Sequence, residues 1–323
     1  MNGLPAPSDA PRAPLLRVRG LGVDVGGRAV VRGASFDVVA GRTLAIVGES
    51  GSGKSMTALA LMGLLPPGAG AVGSARLAGR SGEPDLELVG LAPEHHRRLR
   101  GGRLAMIFQE PMTALNPVMT IGEQIDEVFR CHAGLTPREA RAASEAALVS
   151  VSVPDAASRL NDYPHQFSGG MRQRVLIAMA LAGRPGVLFA DEPTTALDAS
   201  LRAGVLDLLN RQRSSRGLGV VLISHDLRLV AGHADEVLVM YAGYPVEAGP
   251  AAAVLREPLH PYTRCLVGCL PDATTRGRRL ATLADLSTAE RERTVLGRRP
   301  WWPEAPGPAE WLSASAERFV SVL

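Results

Sequence analysis

Five short, unbroken apolar runs punctuate the chain: Leu44-Ala45-Ile46-Val47, Leu104-Ala105-Met106-Ile107-Phe108, Val187-Leu188-Phe189-Ala190, Val220-Val221-Leu222-Ile223 and Val237-Leu238-Val239-Met240. Runs of this length without polar alternation are the pattern of strands buried on both faces. Between them the period changes to that of a helix, as in the stretch from Met56 to Met62 and in Leu201, Val205, Leu208 and Leu209, which share one helical face. Strands alternating with helices predict an α/β fold with a mainly parallel sheet. Ahead of the first run, Leu16-Arg17-Val18-Arg19 and Ser35-Phe36-Asp37-Val38 alternate, predicting antiparallel strands that turn through Gly26-Gly27.

The pattern also divides the chain. Residues 1–14, rich in Pro and Ala, are expected to be disordered, and residues 15–250 form the main domain. Gly/Pro-rich turns with one strand fill 66–102, and His95-His96-Arg97-Arg98-Leu99-Arg100 reads as a solvated face. A helical insert is expected at about 112–165, where Thr136-Pro137-Arg138-Glu139 is a capping box with proline at the first helical position. Beyond Gly249 the periodicity weakens, so 251–323, with all three tryptophans, reads as a separate C-terminal extension.

Composition narrows the class. In 323 residues, 46% are apolar and 21% charged, the profile of a globular protein, and no apolar run reaches the 18 or so residues of a membrane span. The chain is expected to be soluble or peripheral. A net charge of +3 gives no concentrated basic surface and does not indicate nucleic-acid binding. Three cysteines (Cys131, Cys265, Cys269) make no even disulfide framework, which fits a reducing cytoplasm. The 34 arginines are accompanied by one lysine, Lys54.

That lysine lies in Gly48-Glu49-Ser50-Gly51-Ser52-Gly53-Lys54-Ser55, which reads G-x-x-x-x-G-K-[ST] between a buried strand and a helix. Such a loop cradles phosphates on successive backbone N–H groups, and its lysine reaches the β and γ phosphates. Ligands collect at the carboxyl ends of strands in an open α/β sheet, and the other apolar runs deliver Gln109, Asp191-Glu192 and Ser224-His225-Asp226 to such ends. Together they point to a nucleoside triphosphate site. Ser55 is placed to ligate Mg2+, Asp191 to hold the ion's water shell, Glu192 to orient or deprotonate the attacking water, and His225 to donate to the γ-phosphate. Ser168 is a natural N-cap for an apolar helix that opens at Gly169-Gly170-Met171-Arg172-Gln173. A second exposed helix start binds anions too, and the residues alone leave open whether it serves a second ligand or the nucleotide of another subunit.

The set resembles the ATP-binding subunit of ATP-binding cassette (ABC) transporters over roughly 15–250. Gly48 to Ser55 is similar to the Walker A loop, Gln109 to the Q-loop, Ser168 to Gln173 to the signature, Val187 to Glu192 to Walker B, Ala196-Leu197-Asp198 to the D-loop and His225 to the switch histidine. The resemblance implies a P-loop ATPase with an antiparallel β subdomain and a helical subdomain, using ATP and Mg2+. It implies nucleotide contacts from Gly48 to Ser55, Thr57, Gln109, Asp191, Ser168, Gly169, Gly170, Gln173 and Asp198. Metal contacts are implied for Ser55, Gln109 and Asp191, and catalytic roles for Glu192, His225, Lys54 and Gln109. It also implies a head-to-tail dimer, identical or not, in which the signature of one subunit closes on ATP held by the other. Arg100-Gly101-Gly102-Arg103 through Asn116-Pro117, with His260-Pro261-Tyr262-Thr263-Arg264, resembles the dipeptide/oligopeptide/nickel importers more narrowly. That implies two membrane-spanning subunits, an external solute-binding protein and a station on the cytoplasmic face of the membrane.

Two departures stand out. No aromatic residue lies near Val23-Asp24-Val25-Gly26 to stack on adenine, which implies weaker base affinity or selectivity. Relatives carry four cysteines in the extension, where this chain has Cys265 and Cys269, so no cluster is expected and core packing is the simpler reading. Against transport stand a soluble ABC ATPase of translation or DNA repair and a nucleotide-dependent module without turnover. The first would bring a second cassette or long inserts. The second would be expected to lack Glu192 or His225. A GTPase is disfavoured because N-K-x-D needs a second lysine.

Overall fold

A computed structural model describes residues 13–80, 82–108, 114–194, 199–269, 295, 300, 310–315 and 317–322. Strands β1 (Pro14–Val25), β2 (Arg28–Val39), β4 (Ala69–Leu77) and β5 (Leu86–Glu87) form an antiparallel sheet in the order β2-β1-β4-β5. The hairpin turns at Gly26-Gly27, both with positive φ, as their alternating flanks require.

The second sheet has eight strands in the order β11-β12-β10-β9-β3-β8-β7-β6. Its parallel part consists of β3 (Thr43–Val47), β6 (Leu104–Ile107), β7 (Val187–Asp191), β8 (Gly219–Ser224) and β9 (Glu236–Tyr241), the five apolar runs of the sequence. Both faces of this sheet are covered, and alternate residues feed different cores. Leu44, Ile46, Phe189, Val221, Ile223, Leu238 and Met240 join the antiparallel sheet and α1 (Lys54–Met62). Leu188, Ala190, Val220 and Leu222 instead meet the helical layer of α3 (Ile121–Ala133), α4 (Pro137–Ser150), α5 (Ala156–Arg159), α6 (Gly169–Ala182) and α7 (Ala199–Arg216). Buried aliphatic pairing of this kind is why these runs show no alternation. In α7, Val205, Leu208 and Leu209 are buried as expected, while the Leu201 side chain lies outside the described residues.

The helical insert is present through its described part, and the Thr136–Glu139 capping box is formed. Thr120 and Glu123 make a second one at the start of α3. The expected disorder of residues 1–14 concerns positions that, up to residue 12, lie outside the described residues.

Two expectations need correction. The basic run 95–100 falls largely in α2 (Pro93–Leu99), but it is not wholly a solvated face. His96 is buried, with Nε2 3.1 Å from Leu88 O, and its ring sits where a side chain at Gly63 would go; Arg100 donates to Met62 O and Gly63 O at the carboxyl end of α1. The segment after 250 is not separate either. In α9 (Ala251–Arg256) and α10 (Pro261–Gly268), Ala251, Val254 and Tyr262 share one core with Ala45, Val47, Leu227 of α8 (Leu227–His233), Val237 and Val239. Helices of six and eight residues are too short to display a period, which hid this packing from the sequence.

The chain's last strands also join the main sheet. β12 (Arg318–Val322) pairs with β10 (Tyr244–Pro250), and β11 (Glu310–Ser315) pairs with β12. At this junction the fully buried Glu247 accepts hydrogen bonds from Leu259 N, His260 N and Arg318 Nη2 at 3.0–3.2 Å, and Arg318 also donates to Glu257 O. A buried carboxylate is tolerated only when so partnered. Glu247→Leu should therefore destabilise the protein by about 3–5 kcal/mol, because Arg318 is left charged without its partner. In urea melts, Glu247→Leu/Arg318→Met should regain most of that loss; a double variant as unstable as the single one would deny the coupling.

Candidate active site at the carboxyl edge of the parallel sheet

The strand registers bring the predicted strand ends together. Val47 pairs with Ser224, Asp191 with Ile223, and Ile107 with Ala190, so the loop at Gly48, His225, Glu192 and the chain leaving Phe108 start from one edge. Gln109 and Asp198, with Ala196 and Leu197, lie outside the described residues.

The loop is a close-approach structure. Gly48 (φ 151°) and Gly53 (φ 97°) adopt conformations open to glycine, and a Cβ at these positions would come within 2.1 Å of Met240 O and 2.6 Å of Val30 O. Ser52 is buried, its carbonyl accepting from Gly243 N at 3.2 Å, while Glu49, Ser50 and Gly51 face solvent. Gly53 caps α1 with no side-chain hydrogen bond and the first turn holds no acidic residue, so the helix start keeps its N–H groups and positive end for an anion. Lys54 is 5% exposed and folds over the loop, donating to Gly48 O (2.9 Å), Glu49 O (2.7 Å) and Ser52 Oγ (3.4 Å). Burial lowers its pKa, and the negative charges of Glu192, Asp191 and Glu49 oppose that shift. Thr57 is fully buried and bonds back to Gly53 O at 3.0 Å, so its hydroxyl braces the loop glycine from within the helix.

Asp191 and Glu192 are adjacent yet differently housed. Asp191 ends β7, buried, near the Ser55 hydroxyl; burial raises its pKa, with Ser55 and Lys54 opposing the rise and Glu192 adding to it. Its Oδ1 has no hydrogen-bond partner among the described residues. An orphaned carboxylate oxygen beside a hydroxyl, next to a phosphate loop, is a donor set that fits Mg2+ with its waters. Glu192 carries φ 46°, a left-handed conformation that a non-glycine residue adopts at a cost of order 1–3 kcal/mol. That turn is held by Glu192 N donating to Ile223 O at 2.9 Å and by His225 Nδ1 lying 2.8 Å from Glu192 Oε1. His225 is more than half exposed, Glu192 only 14%, so the pair stands at the mouth of the cleft with Asp191 and Lys54 beneath it.

Ser168 caps α6 as expected, accepting from Met171 N at 3.4 Å, and Ser168 and Gly169 are exposed with open space at Gly169. Gly170 and Gln173 turn inward, and Gln173 Nε2 has no partner among the described residues. With Ser168 and Gly169 exposed, this helix start is open to solvent, a second open helix start in addition to that of α1.

One loop contact escaped the sequence reading. Tyr262, at the start of α10, accepts from Glu49 N at 3.0 Å. The motif His260-Pro261-Tyr262 was visible, but nothing local linked it to a loop 213 positions earlier.

The residues match known families in two blocks. A model described as ABC transporter matches residues 31–195, and one described as oligopeptide/dipeptide transporter, C-terminal region, matches 246–295. A Brucella abortus (strain 2308) protein named as a peptide import ATP-binding protein is 47% identical over 275 residues, covering 84% of this chain and 81% of the relative. Among solved structures, the dimeric cassette MJ0796 in a post-hydrolysis state bound to ADP and Pi superposes with a TM-score of 0.62 at 23% identity, covering 73% of this chain and 98% of that one. An ATP binding subunit of an ABC transporter gives 0.61 at 26% identity, over 75% and 92%.

The single lysine allows a direct test of the site's electrostatics. Only the neutral amine reacts, so a lowered pKa moves the onset of Lys54 labelling to lower pH. In nucleotide-free protein the labelling midpoint should lie below the ordinary 10.5, and Glu192→Gln should lower it further by removing a charge that favours the ammonium. A midpoint at the ordinary value, or a rise in the variant, would contradict the geometry.

Proposed function

The chain belongs to the ABC transporter family, and from that premise we propose that it is an ATP-hydrolysing subunit that energises import of di- or oligopeptides. The observation that carries the reading is the cleft in which Lys54, Asp191, Glu192 and His225 meet at the phosphate loop. Peptides are the solute class because the relative is named for peptide import and the C-terminal match has the oligopeptide/dipeptide description. In this reading ATP lies on this loop with its phosphates over the start of α1, whose N–H groups are open.

In the proposed mechanism, loop N–H groups and the α1 start hold the phosphates, and Lys54 transfers its hydrogen bonds from loop carbonyls to phosphate oxygens. Ser55 and Asp191, with Gln109, would hold Mg2+, which supplies charge neutralisation between phosphates. Glu192 orients the attacking water and takes its proton, and His225 positions the Glu192 carboxylate and donates toward the γ-phosphate. Ser168, Gly169, Gly170 and Gln173, with Asp198, act on ATP held by a second ATP-binding subunit. Two membrane-spanning subunits and an external solute-binding protein complete the assembly, with this chain peripheral on the cytoplasmic face. Among the described residues no helix is long and apolar enough to cross a membrane.

In the assembled transporter, Glu192→Gln should keep MgATP binding while ATP turnover and labelled-peptide uptake fall together by about 100-fold or more. Near-normal hydrolysis would remove Glu192 from its role; hydrolysis without peptide uptake in the wild type would separate the ATPase from import.

The composite site makes a second claim. A Ser168→Arg subunit paired with a partner lacking its phosphate-loop lysine should show one defect at that partner's site, because both changes strike the same pocket. Independent, multiplying losses in isolated tagged heteromers would reject the sandwich.

A further inference from the structure

We propose that Tyr262 is a positioning residue for the phosphate loop: its hydroxyl holds the Gly48–Glu49 peptide in the conformation that receives phosphate. This deepens the reading of the cleft as an ATP site and rests on it. The Gly48–Glu49 peptide is pinned at both ends, its N–H by Tyr262 Oη at 3.0 Å and its carbonyl, Gly48 O, by Lys54 Nζ at 2.9 Å. The latch comes from outside the loop, while the lysine is the group that leaves when phosphates arrive.

Tyr262 itself has little freedom. It is fully buried in the core that includes Val47, the residue leading into the loop, and its ring packs on Tyr241 at 4.6 Å between centroids. Burial raises its pKa, so the phenol stays neutral and accepts the peptide hydrogen without introducing a charge. The preceding residues fix it in turn. His260 N–H donates to Glu247 at 3.0 Å, His260 Nδ1 accepts from Tyr262 N at 3.2 Å, and Pro261 occupies the first helical position. Each residue of His260-Pro261-Tyr262 thus has a separate task, and the last reaches the nucleotide loop.

The physical consequence is preorganisation. Glu49 is otherwise solvent-facing, between Gly48 and Ser50-Gly51, so without the latch the Gly48–Glu49 peptide plane can turn its N–H to water. Only the held fraction binds, and apparent affinity falls by that fraction. A lost hydrogen bond of ordinary net strength corresponds to about a 3- to 10-fold change.

The test compares full-length wild type, Tyr262→Phe and Thr263→Val by MgATP titration, thermal melting and Lys54 labelling without nucleotide. Tyr262→Phe keeps the ring and removes the acceptor. Thr263→Val removes a buried hydroxyl, unpartnered among the described residues, from the next position of the same helix. Tyr262→Phe should weaken MgATP binding about 3- to 10-fold and speed Lys54 labelling, since a freed Gly48 carbonyl loosens the ammonium, with kcat within about two-fold in the assembled transporter. Thr263→Val should match wild type in both readouts. Unchanged affinity and labelling in Tyr262→Phe, whether or not its melting temperature falls, overturns the proposal. Failure of the wild type to bind MgATP would overturn the ATP reading, an outcome the variant comparison cannot mimic.

Discussion

A backbone loop threaded where no side chain fits is the constraint on which the rest depends. The loop leaves β3 at Gly48 against Met240 O, passes Val30 O at Gly53 and hands its chain to α1. β2, the end of β9 and the turn before β10 must all stand at fixed distances from it, and Arg32 N donating to Gly243 O at 2.8 Å ties two of these walls together. Such a loop is stiff because its surroundings are covalently remote and mutually bonded. Stiffness is what a phosphate site requires, since donors that need no reorganisation bind charge most effectively.

The same edge shows how two adjacent carboxylates acquire different work. Asp191 is the last residue of a buried strand and inherits its low-dielectric setting, which suits the cation-holding role proposed for it. One residue later, the left-handed turn at Glu192 carries the next carboxylate to His225. The backbone strain there is offset by two hydrogen bonds from β8 and its continuation. Local conformation, more than residue type, separates the two roles.

Legibility followed the range of the interaction. The five buried strands, the Gly26-Gly27 hairpin, the phosphate loop and the Thr136 capping box depend on neighbours within a few residues, and the sequence displays them. The order β9-β3-β8-β7 follows from side-to-side pairing of strands far apart in the chain, so only the shared edge, not the order, could be read beforehand. His96 under Gly63, Glu247 with Arg318 and Tyr262 on Glu49 are long-range polar contacts of residue types that are usually exposed. Periodicity carries no signal for such pairs. The one available hint was chemical: His260-Pro261-Tyr262 packs an N-cap, a helix-starting proline and an amphipathic ring into three positions.

The division between buried and exposed groups also bears on the proposal that the site is shared with a second subunit. Lys54, Asp191 and Ser52 lie under the surface, and Lys54 and Ser52 are held by hydrogen bonds within the loop itself. His225, Ser168 and Gly169 stand in solvent, where the phosphate hydrogen bonds proposed for them would compete with water and contribute little. Covering them excludes that water and strengthens each interaction in a lower dielectric. A site whose binding groups are preformed and whose chemical groups await burial has affinity before it has rate. On the proposed shared site, hydrolysis would follow closure rather than nucleotide encounter, and whatever drives closure would set when ATP is spent.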